Sequence, residues 1–205
     1  MATQRKSAQD RKAEIVATAI RLAGTHGPDR VTTQQLAQEI GISQPAIFRH
    51  FPTKSDIWLA VGKAVAAHVT FENMPGAGPG VGPGVGDDPL ATLNGLIARH
   101  LGQIVQTPAI PAILFSRELH AENEPLRRHF ETVMTNRRAG LAGLIARAQA
   151  AGQLDSYIPP EDLAALLLAV IQGLAMRWSL ENQRFDLVAE GTRLIHILSR
   201  PVKRD

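Results

Sequence analysis

The sequence predicts an all-α fold, and three observations support that prediction. Apolar residues recur at three- and four-residue spacing through most of the chain, which is the period of an amphipathic helix. Alternating runs of β-branched residues, the mark of a half-buried strand, are almost absent. Cap residues, prolines and glycines divide the apolar stretches into segments of helical length. We therefore expect helices packed on helices throughout the chain.

The first predicted helix covers about residues 8–25. Ile15, Ala19 and Ala23 recur at four-residue spacing and form one apolar stripe along it. Glycine favours the backbone conformation that closes a helix, and proline cannot extend one, so the glycines and the proline at residues 24–28 should end it.

Residues 32–51, with the sequence TTQQLAQEIGISQPAIFRHF, divide into two short helices. Thr32, with Gln35 three residues later, is a capping-box pattern that opens the first of them, and Gly41 ends it. Ser43 then caps the second helix. Pro45 lies in the first turn of that helix, where a missing amide hydrogen costs nothing.

A fourth helix should follow at once. Thr53 and Asp56 form another capping box, and Ile57 and Val61 belong to the apolar stripe behind it. The helix is expected to end near residue 70. A stretch of Gly and Pro alternating with small apolar residues then occupies residues 74–89. Because such a composition can neither hold a helix nor pack a core, we interpret it as a flexible loop.

Beyond the loop, apolar periodicity predicts about five more helices, and no internal repeat is evident. Their approximate ranges are 90–106, 109–121, 125–151, 161–180 and 186–199. We expect two domains. Residues 1–70 form a small domain of three helices, and a fourth helix joins it to a larger helical domain at residues 71–205.

The two short helices have the features of a helix-turn-helix. This motif needs a small residue where its helices cross, a residue that tolerates positive φ in the turn, and apolar anchors on both helices. Ala37 and Gly41 supply the first two requirements. The same spacing also occurs in plain structural bundles, so it does not establish DNA binding by itself. The apolar anchors are Leu36, Ile40, Ile42 and Ile47.

The outward face of the second short helix favours DNA binding over a merely solvated surface. A solvated helix normally carries Glu and Lys, whereas this one has no acidic residue that would repel phosphate. The charge distribution also favours DNA binding, because residues 1–70 carry a net charge of +4 and the remaining residues a net charge of −1. Lys54, at the start of the next helix, can reach a phosphate. The outward residues, which offer hydrogen bonds, a methyl contact and charge, are Ser43, Gln44, Ala46, Phe48, Arg49 and His50.

These residues carry a family resemblance. The stretch TTQQLAQEIGISQPAIFRHFPTKSDIWLAV resembles the amino-terminal domain of TetR-type transcriptional regulators, and the resemblance extends over about residues 8–68. It implies an all-α homodimer, usually a repressor, whose recognition helices enter successive major grooves of a palindromic double-stranded DNA operator. It also implies that an unknown small-molecule effector binds in the larger domain and moves the DNA-binding heads apart.

The resemblance also assigns the DNA contacts residue by residue. The implied contacts are Thr33, Gln34, Ser43, Gln44, Pro45, Ala46, Phe48, Arg49, His50 and Lys54. Gln34 and Gln44 are the best candidates for reading bases. Those expected to position the phosphate backbone are Thr33, Phe48, His50 and Lys54. The sequence departs from the family at two places: Phe48 replaces a frequent tyrosine and its hydroxyl, and the Gly/Pro insertion softens the connection after the fourth helix.

The last two predicted helices carry more apolar surface than one protomer needs. The apolar stripe of the helix at 161–180 extends around more than one face, and the final helix adds another stripe. A dimeric four-helix bundle would cover both, and an ordinary intramolecular core is the alternative. The interface residues expected for the dimer are Leu163, Leu167, Val170, Leu174, Leu187, Leu194 and Leu198.

An effector pocket can be nominated only from bulky residues on the central helices, most of which would equally fit an ordinary core. They are Ile97, Leu101, Phe115, Leu119, Phe130, Met134 and Trp178. Arg177, beside Trp178, could pair with an anionic ligand or form a salt bridge. His100, His120 and His129 do not have the spacing of a metal site, so we expect surface or pocket histidines and no metal.

The composition narrows the remaining function classes. There is no cysteine, which fits a reducing cytoplasm, and neither a signal peptide nor an apolar stretch of membrane-spanning length is evident. We therefore expect a cytoplasmic protein without a membrane partner. No nucleophile elbow, P-loop or dinucleotide fingerprint is present, so neither enzymatic activity nor a cofactor is expected. The remaining alternative is an architectural or nucleoid-associated DNA-binding protein that has no effector.

Overall fold

The computed structural model describes residues 6–69 and 88–199, with side chains placed as far as Ala67 in the first range. Every regular element in these two ranges is helical, as the sequence predicts. A short 3-10 turn at Pro28–Arg30 follows the first helix. Residues 74–87 of the predicted loop lie outside the described residues. The helices are α1 (Ala8–His26), α2 (Thr33–Glu39), α3 (Gln44–His50), α4 (Lys54–Val69), α5 (Pro89–Gln106), α6 (Ala109–Leu114), α7 (Arg117–Glu122), α8 (Glu124–Ala150), α9 (Pro160–Leu180) and α10 (Leu187–Leu198).

Packing divides the chain into two compact units. Unit 1 consists of residues 1–67 and 107–131, and unit 2 of residues 68–106 and 132–205. The sequence predicts a boundary near residue 70 but gives no sign that residues 107–131 pack with the amino-terminal helices. The first turns of α8 thus belong to unit 1 and its remainder to unit 2.

In unit 1, α1 packs against α2, α3 and α6, and α7 packs against the 3-10 turn. Gly24 lies where α1 meets α6, and a Cβ at that position would be in van der Waals contact with the Cβ of Ala109, 3.4 Å away. The largest side chains of the core are fully buried or nearly so. They include Ile15, Leu22, Leu36, Ile47, Ile57 and Val61.

In unit 2, α5 packs against both α9 and α10, and α9 packs against α10. Gly191 lies where α10 meets α5, and a Cβ there would lie 2.4 Å from Leu101 Cδ1, so the Leu101 side chain would have to move. The core of unit 2 is mostly aliphatic and closely packed. Its fully buried members include Leu93, Ile97, Leu101, Leu141, Ile145 and Leu167.

The segment predicted as one helix at residues 109–121 forms two, which corrects the sequence prediction. Helix α6 ends before Phe115, and Ser116 occupies the N-cap of α7. The Ser116 hydroxyl accepts a hydrogen bond from the backbone N–H of Leu119 at 3.1 Å. A serine in extended backbone that satisfies an otherwise unpaired N–H favours a new helix start over continuation.

Helix α9 corrects the expectation that no stretch of membrane-spanning length exists. By length and composition its 21 residues could cross a membrane, and among the described residues it is the one helix of this kind. The core helix of a folded domain passes the same test. Leu167, Ile171 and Trp178 of α9 are buried in unit 2, which shows that this helix contributes to the core.

Candidate nucleic-acid interface

Local hydrogen bonds fix the start of α2 and the turn that follows it. Thr32 forms the predicted capping box: Thr32 Oγ1 accepts from the backbone N–H of Gln35 at 3.1 Å, and Gln35 Oε1 accepts from the backbone N–H of Thr32 at 2.9 Å. Gly41 has a φ of +70°, a conformation that glycine adopts readily. The N–H of Ile42 then donates to the carbonyl of Ala37 at 2.9 Å. These contacts set the direction in which α3 leaves α2.

Helix α3 is anchored to unit 1 by one face. Ile47 and Phe51 are buried, and Lys12 of α1 places its Nζ 5.6 Å from the centroid of the Phe51 ring. Pro45 lies in the first turn of α3, as predicted. With this face held inward, the opposite face of α3 is left to solvent.

Most of the predicted DNA contacts lie on the exposed surface. Phe48 is notable, because 40% of this large aromatic side chain remains exposed. The last turn of α3 ends in the basic residues Arg49 and His50, of which His50 is half-buried. The exposed members of the predicted set are Gln34, Ser43, Gln44, Pro45, Phe48, Arg49 and Lys54.

Ala46 lies on the inward face of α3, which corrects its assignment to the outward face. Only 7% of its surface is exposed. Residues four apart share a face of a helix, so Ala46 lies above His50 in the same way that Ile47 lies above Phe51. The inward face is therefore two residues wide, and the predicted methyl contact from Ala46 to a base is not available in this arrangement.

Thr33, predicted to position the phosphate backbone, is also buried and has a different partner. Its Oγ1 accepts a hydrogen bond from Gln44 Nε2 at 2.8 Å, which joins α2 to the first residue of α3. The Gln44 side chain itself is exposed. Thr33 thus holds one end of the Gln44 amide, and the remaining N–H and the Oε1 of that amide are left for another partner.

Positive charge and an available hydroxyl lie around this exposed face. Neither Arg49 nor Lys54 takes part in an ion pair among the described residues, whereas Arg21 is paired with Glu39. Ser43 occupies the predicted N-cap position of α3, but its hydroxyl makes no capping hydrogen bond. Exposed cations and a hydroxyl at a helix start are groups that bind phosphate oxygens.

Two polar contacts that the sequence did not reveal hold α4 and the 3-10 turn against the α7 region. The buried Asn123 donates from Nδ2 to the carbonyl of Ser55 at 2.9 Å. The Ser116 hydroxyl donates to the carboxylate of Asp29 at 2.8 Å. The Thr53–Asp56 capping box, which is formed as predicted, starts α4 beside them and so places Lys54.

Two protein-family models match this chain, one in its amino-terminal part and one in its carboxyl-terminal part. Residues 15–61, which contain α2 and α3, match the family described as bacterial regulatory proteins, tetR family. Residues 111–189 match the tetracyclin repressor-like C-terminal domain. The two matches together span more than half of the chain. The chain belongs to the TetR family. Members of this family are transcriptional regulators that bind DNA, so α2 and α3 are the helix-turn-helix of a TetR-family DNA-binding domain.

Two curated relatives carry different descriptions. The HTH-type transcriptional regulator TtgR of Pseudomonas putida is 25% identical over 190 residues, which cover 91% of this chain and 88% of TtgR. The nucleoid occlusion factor SlmA of Vibrio atlanticus is 29% identical over 208 residues, which cover 99% of this chain and all of SlmA. The relatives of this chain therefore include both a transcriptional regulator and a nucleoid occlusion factor.

Solved TetR-family structures share the fold at low sequence identity. FadR from Bacillus subtilis, solved in complex with stearoyl-CoA, superposes with a TM-score of 0.73 at 16% identity, covering 93% of this chain and 98% of FadR. SmeT, the repressor of the Stenotrophomonas maltophilia efflux pump SmeDEF, has a TM-score of 0.70 at 18% identity, covering 91% of this chain and 87% of SmeT. These similarities confirm the fold.

The dimer-interface residues predicted for this TetR-family chain lie mostly in the core of unit 2. Leu163, Leu167, Leu174 and Leu187 are buried, and only Leu198 of the predicted set is exposed. Val170 and Leu194 are half-buried. The residues predicted from helical spacing thus belong mostly to the apolar stripe that faces the core of unit 2, and other apolar residues of the same helices are exposed. The exposed large apolar residues of α9 and α10 are Leu166, Met176, Leu180, Ile197 and Leu198.

The predicted pocket residues are divided between the two units. Ile97, Leu101, Met134 and Trp178 lie in unit 2, whereas Phe115, Leu119 and Phe130 lie in unit 1. Trp178 has a structural partner, because its Nε1 donates to the carbonyl of Phe185 at 3.1 Å. Arg177 binds Glu190 at 2.6 Å and lies 4.3 Å from the Phe185 ring centroid, which favours the salt bridge over the anionic ligand.

Two of the three histidines are packed against Phe130 in unit 1. His120 Nε2 donates to the carbonyl of Leu114 at 2.9 Å, and its ring meets Phe130 edge-on at 5.6 Å between centroids. Burial and the nearby Lys63 lower the pKa of His129, which keeps its ring neutral at physiological pH. Among the described residues, no group of three or more His, Asp or Glu is arranged to hold a metal ion.

Proposed function

We propose that this TetR-family protein is a cytoplasmic, non-enzymatic repressor that binds a palindromic operator as a homodimer and is released by a small-molecule effector. The observation that carries the proposal is the exposed face of α3, where Gln44, Phe48 and Arg49 extend from a helix that contains no acid. A polar, basic and aromatic face without carboxylates fits a DNA groove better than it fits water.

An effector is supported by the relatives and by the carboxyl-terminal match. FadR was solved with stearoyl-CoA, and SmeT is described as the repressor of an efflux pump. The match to the tetracyclin repressor-like C-terminal domain includes all of α8 and α9. We infer the same kind of control here, in which a ligand bound by the carboxyl-terminal helices changes the affinity for DNA.

The homodimer is supported by a second apolar stripe on α9. Leu166, Met176 and Leu180 are exposed, with 75% of the Leu180 side chain open to solvent, and the small residues Ala169 and Gly173 lie between them. Ile197 and Leu198 of α10 add exposed apolar surface in the same unit. Exposed apolar surface on two helices of one unit fits burial against the same two helices of a second copy.

A second candidate function is supported by the similarity to SlmA. The 29% identity extends over 99% of this chain, and SlmA is described as a nucleoid occlusion factor. A protein of that kind would keep the DNA-binding α3 without the control by an effector. The two candidates differ in how many genomic sites they occupy.

Genome-wide footprinting with the purified full-length protein separates the two candidates. For the regulator we expect protection of a few palindromic sites next to promoters. Broad coverage of many sites across the chromosome would support the second candidate instead. An Arg49→Ala/Gln44→Ala protein, which lacks two exposed α3 side chains, should lose the footprint in either case and serves as the control.

Disruption of the exposed stripe on α9 should separate the two protomers. We expect Leu166→Glu/Leu180→Glu to sediment as a monomer and to lose affinity for the two-half-site operator by about 100-fold or more, because each head then binds alone. Sedimentation velocity and fluorescence anisotropy measure the two effects. Ala146→Glu, at an exposed position of α8, should leave both unchanged. A folded double variant that remains dimeric would show that the interface lies elsewhere.

A further inference from the structure

Unit 2 contains an ionisable pair in a core that consists mostly of aliphatic side chains. His100 of α5 and Arg137 of α8 are each only 5% exposed. On α5, Ile97 and Ile104 lie three residues before and four residues after His100, so all three share the buried face of the helix. Nothing in the packing of leucines and isoleucines requires an imidazole and a guanidinium at these positions.

The two side chains lie close enough to influence each other. Burial and the charge of Arg137 hold the pKa of His100 well below its usual range. Burial also lowers the pKa of Arg137 to about 10. At physiological pH the guanidinium is therefore charged and the imidazole neutral. The interior of unit 2 thus holds a charged guanidinium and, close to it, a neutral imidazole.

His100 retains an unused hydrogen-bonding atom. Its Nδ1 is inaccessible to solvent and has no hydrogen-bond partner among the residues that the structure describes. A buried polar atom without a partner costs free energy, and such atoms in folded proteins call for an explanation. A bound ligand that contacts Nδ1 would remove that cost.

A third polar group on the next helix reaches the same side of α8. Gln172 of α9 donates from Nε2 to Met134 Sδ at 3.7 Å, and a thioether is a weak acceptor. Met134 precedes Arg137 by three residues, so both are on one face of α8. Unit 2 therefore carries polar side chains on α5, α8 and α9, of which His100 and Arg137 are buried.

We infer that the effector is an amphipathic organic anion, whose acidic group binds at His100 and Arg137 and whose apolar part packs on the aliphatic face of α5. The guanidinium carries five N–H donors, so an interaction that it already makes leaves donors for a carboxylate or phosphate oxygen. The neutral imidazole can donate from Nδ1 to the same group. Charge-assisted hydrogen bonds of this kind are strong inside a protein. This inference rests on the proposed effector control.

Matched anionic and neutral probes test the inference on the full-length protein. Isothermal titration calorimetry would compare octanoate with 1-octanol, and 4-butylbenzoate with 4-butylbenzyl alcohol, so that each pair shares a carbon skeleton and has either an anionic carboxylate or a neutral hydroxyl head group. Octyl phosphate would distinguish a phosphate from a carboxylate head. We expect at least one anion to bind about tenfold or more tightly than its neutral partner. If no anion binds better than its alcohol, the inference is wrong.

Two variants connect that preference to the buried pair. Arg137→Gln should lower the affinity for the preferred anion by about tenfold or more while leaving the affinity for its alcohol unchanged. Arg138→Gln, at the exposed neighbouring position on α8, is the matched control. His100→Gln is a second variant of the same pair and keeps the test possible if Arg137→Gln does not fold. An anion preference that is unchanged in every folded variant of the pair would contradict the assignment of the site.

The calorimetry uses no DNA, so it remains informative if the protein is not a repressor. Adding the same probes to the protein bound to its operator, followed by fluorescence anisotropy, shows separately whether they release the DNA. Anion binding that does not release the operator would uphold the site and contradict effector control. Operator release by neutral compounds alone would uphold the regulator and contradict the anionic class.

Discussion

Replacement of Arg49 by alanine is expected to weaken operator binding by about 1–3 kcal/mol and to relax the base preference at one position of each half-site. Arg49 lies in the last turn of α3, is exposed, and has no ion pair among the described residues. Its planar guanidinium can therefore donate two hydrogen bonds to one base edge, most favourably guanine. Fluorescence anisotropy with the footprinted operator and its single-base variants measures both effects.

Lys54 provides the contrast that makes this result interpretable. Lys54→Ala should weaken binding to all operator variants by a similar factor and reduce the salt dependence by about one released ion, as expected for a phosphate contact. Arg117→Ala, an exposed cation on α7, controls for the simple loss of positive charge. If the Arg49→Ala protein discriminates bases as well as the wild type does, Arg49 does not read a base.

Thr33→Val should weaken operator binding by about 1–2 kcal/mol although Thr33 itself is buried, because it removes the acceptor that orients Gln44. One N–H of the Gln44 amide is held by Thr33 Oγ1 at 2.8 Å. The other N–H and the Oε1 then point in fixed directions, which suits a bidentate contact with adenine. Valine has the shape of threonine without its hydroxyl, so the amide would rotate and lose this direction.

A double-mutant cycle separates orientation from stability. In a Gln44→Ala background, Thr33→Val should have almost no further effect on operator affinity, since the side chain that Thr33 orients is gone. Thr33→Ser retains the hydroxyl and should bind like the wild type. Thermal melts establish that each variant folds. An equal loss of affinity with and without Gln44 would mean that Thr33 acts through the packing of α2 instead.

Features set by residues close in sequence were predictable. The capping boxes at Thr32 and Thr53 each join residues three apart, and both form as the sequence indicates. Gly41 in the turn and the anchor Ile47 follow from equally local rules. Patterns among residues close in sequence were therefore enough to predict the all-α fold, the helix-turn-helix and most of the exposed face of α3.

Features that depend on residues distant in sequence could not be predicted from local patterns. Asn123 binds a carbonyl 68 positions away, and no periodicity marks such a pair. The assignment of Ala46 to the outward face failed because the width of the inward face depends on what α1 and α2 place beneath it. Burial of His100 next to Arg137 likewise depends on the packing of α5 and α8, which spacing along one helix does not report.

The discontinuous make-up of unit 1 bears on how this chain can be recombined with its relatives. A chimaera cut after residue 70 would separate α4 from Asn123 and the 3-10 turn from Ser116, and would replace the α6 residue that fits against Gly24. The transplanted head would then meet foreign side chains on a surface shaped for residues 107–131. An exchange of operator specificity is better made by grafting only the exposed residues of α3, together with Thr33, into a recipient that keeps its own α6 and α7.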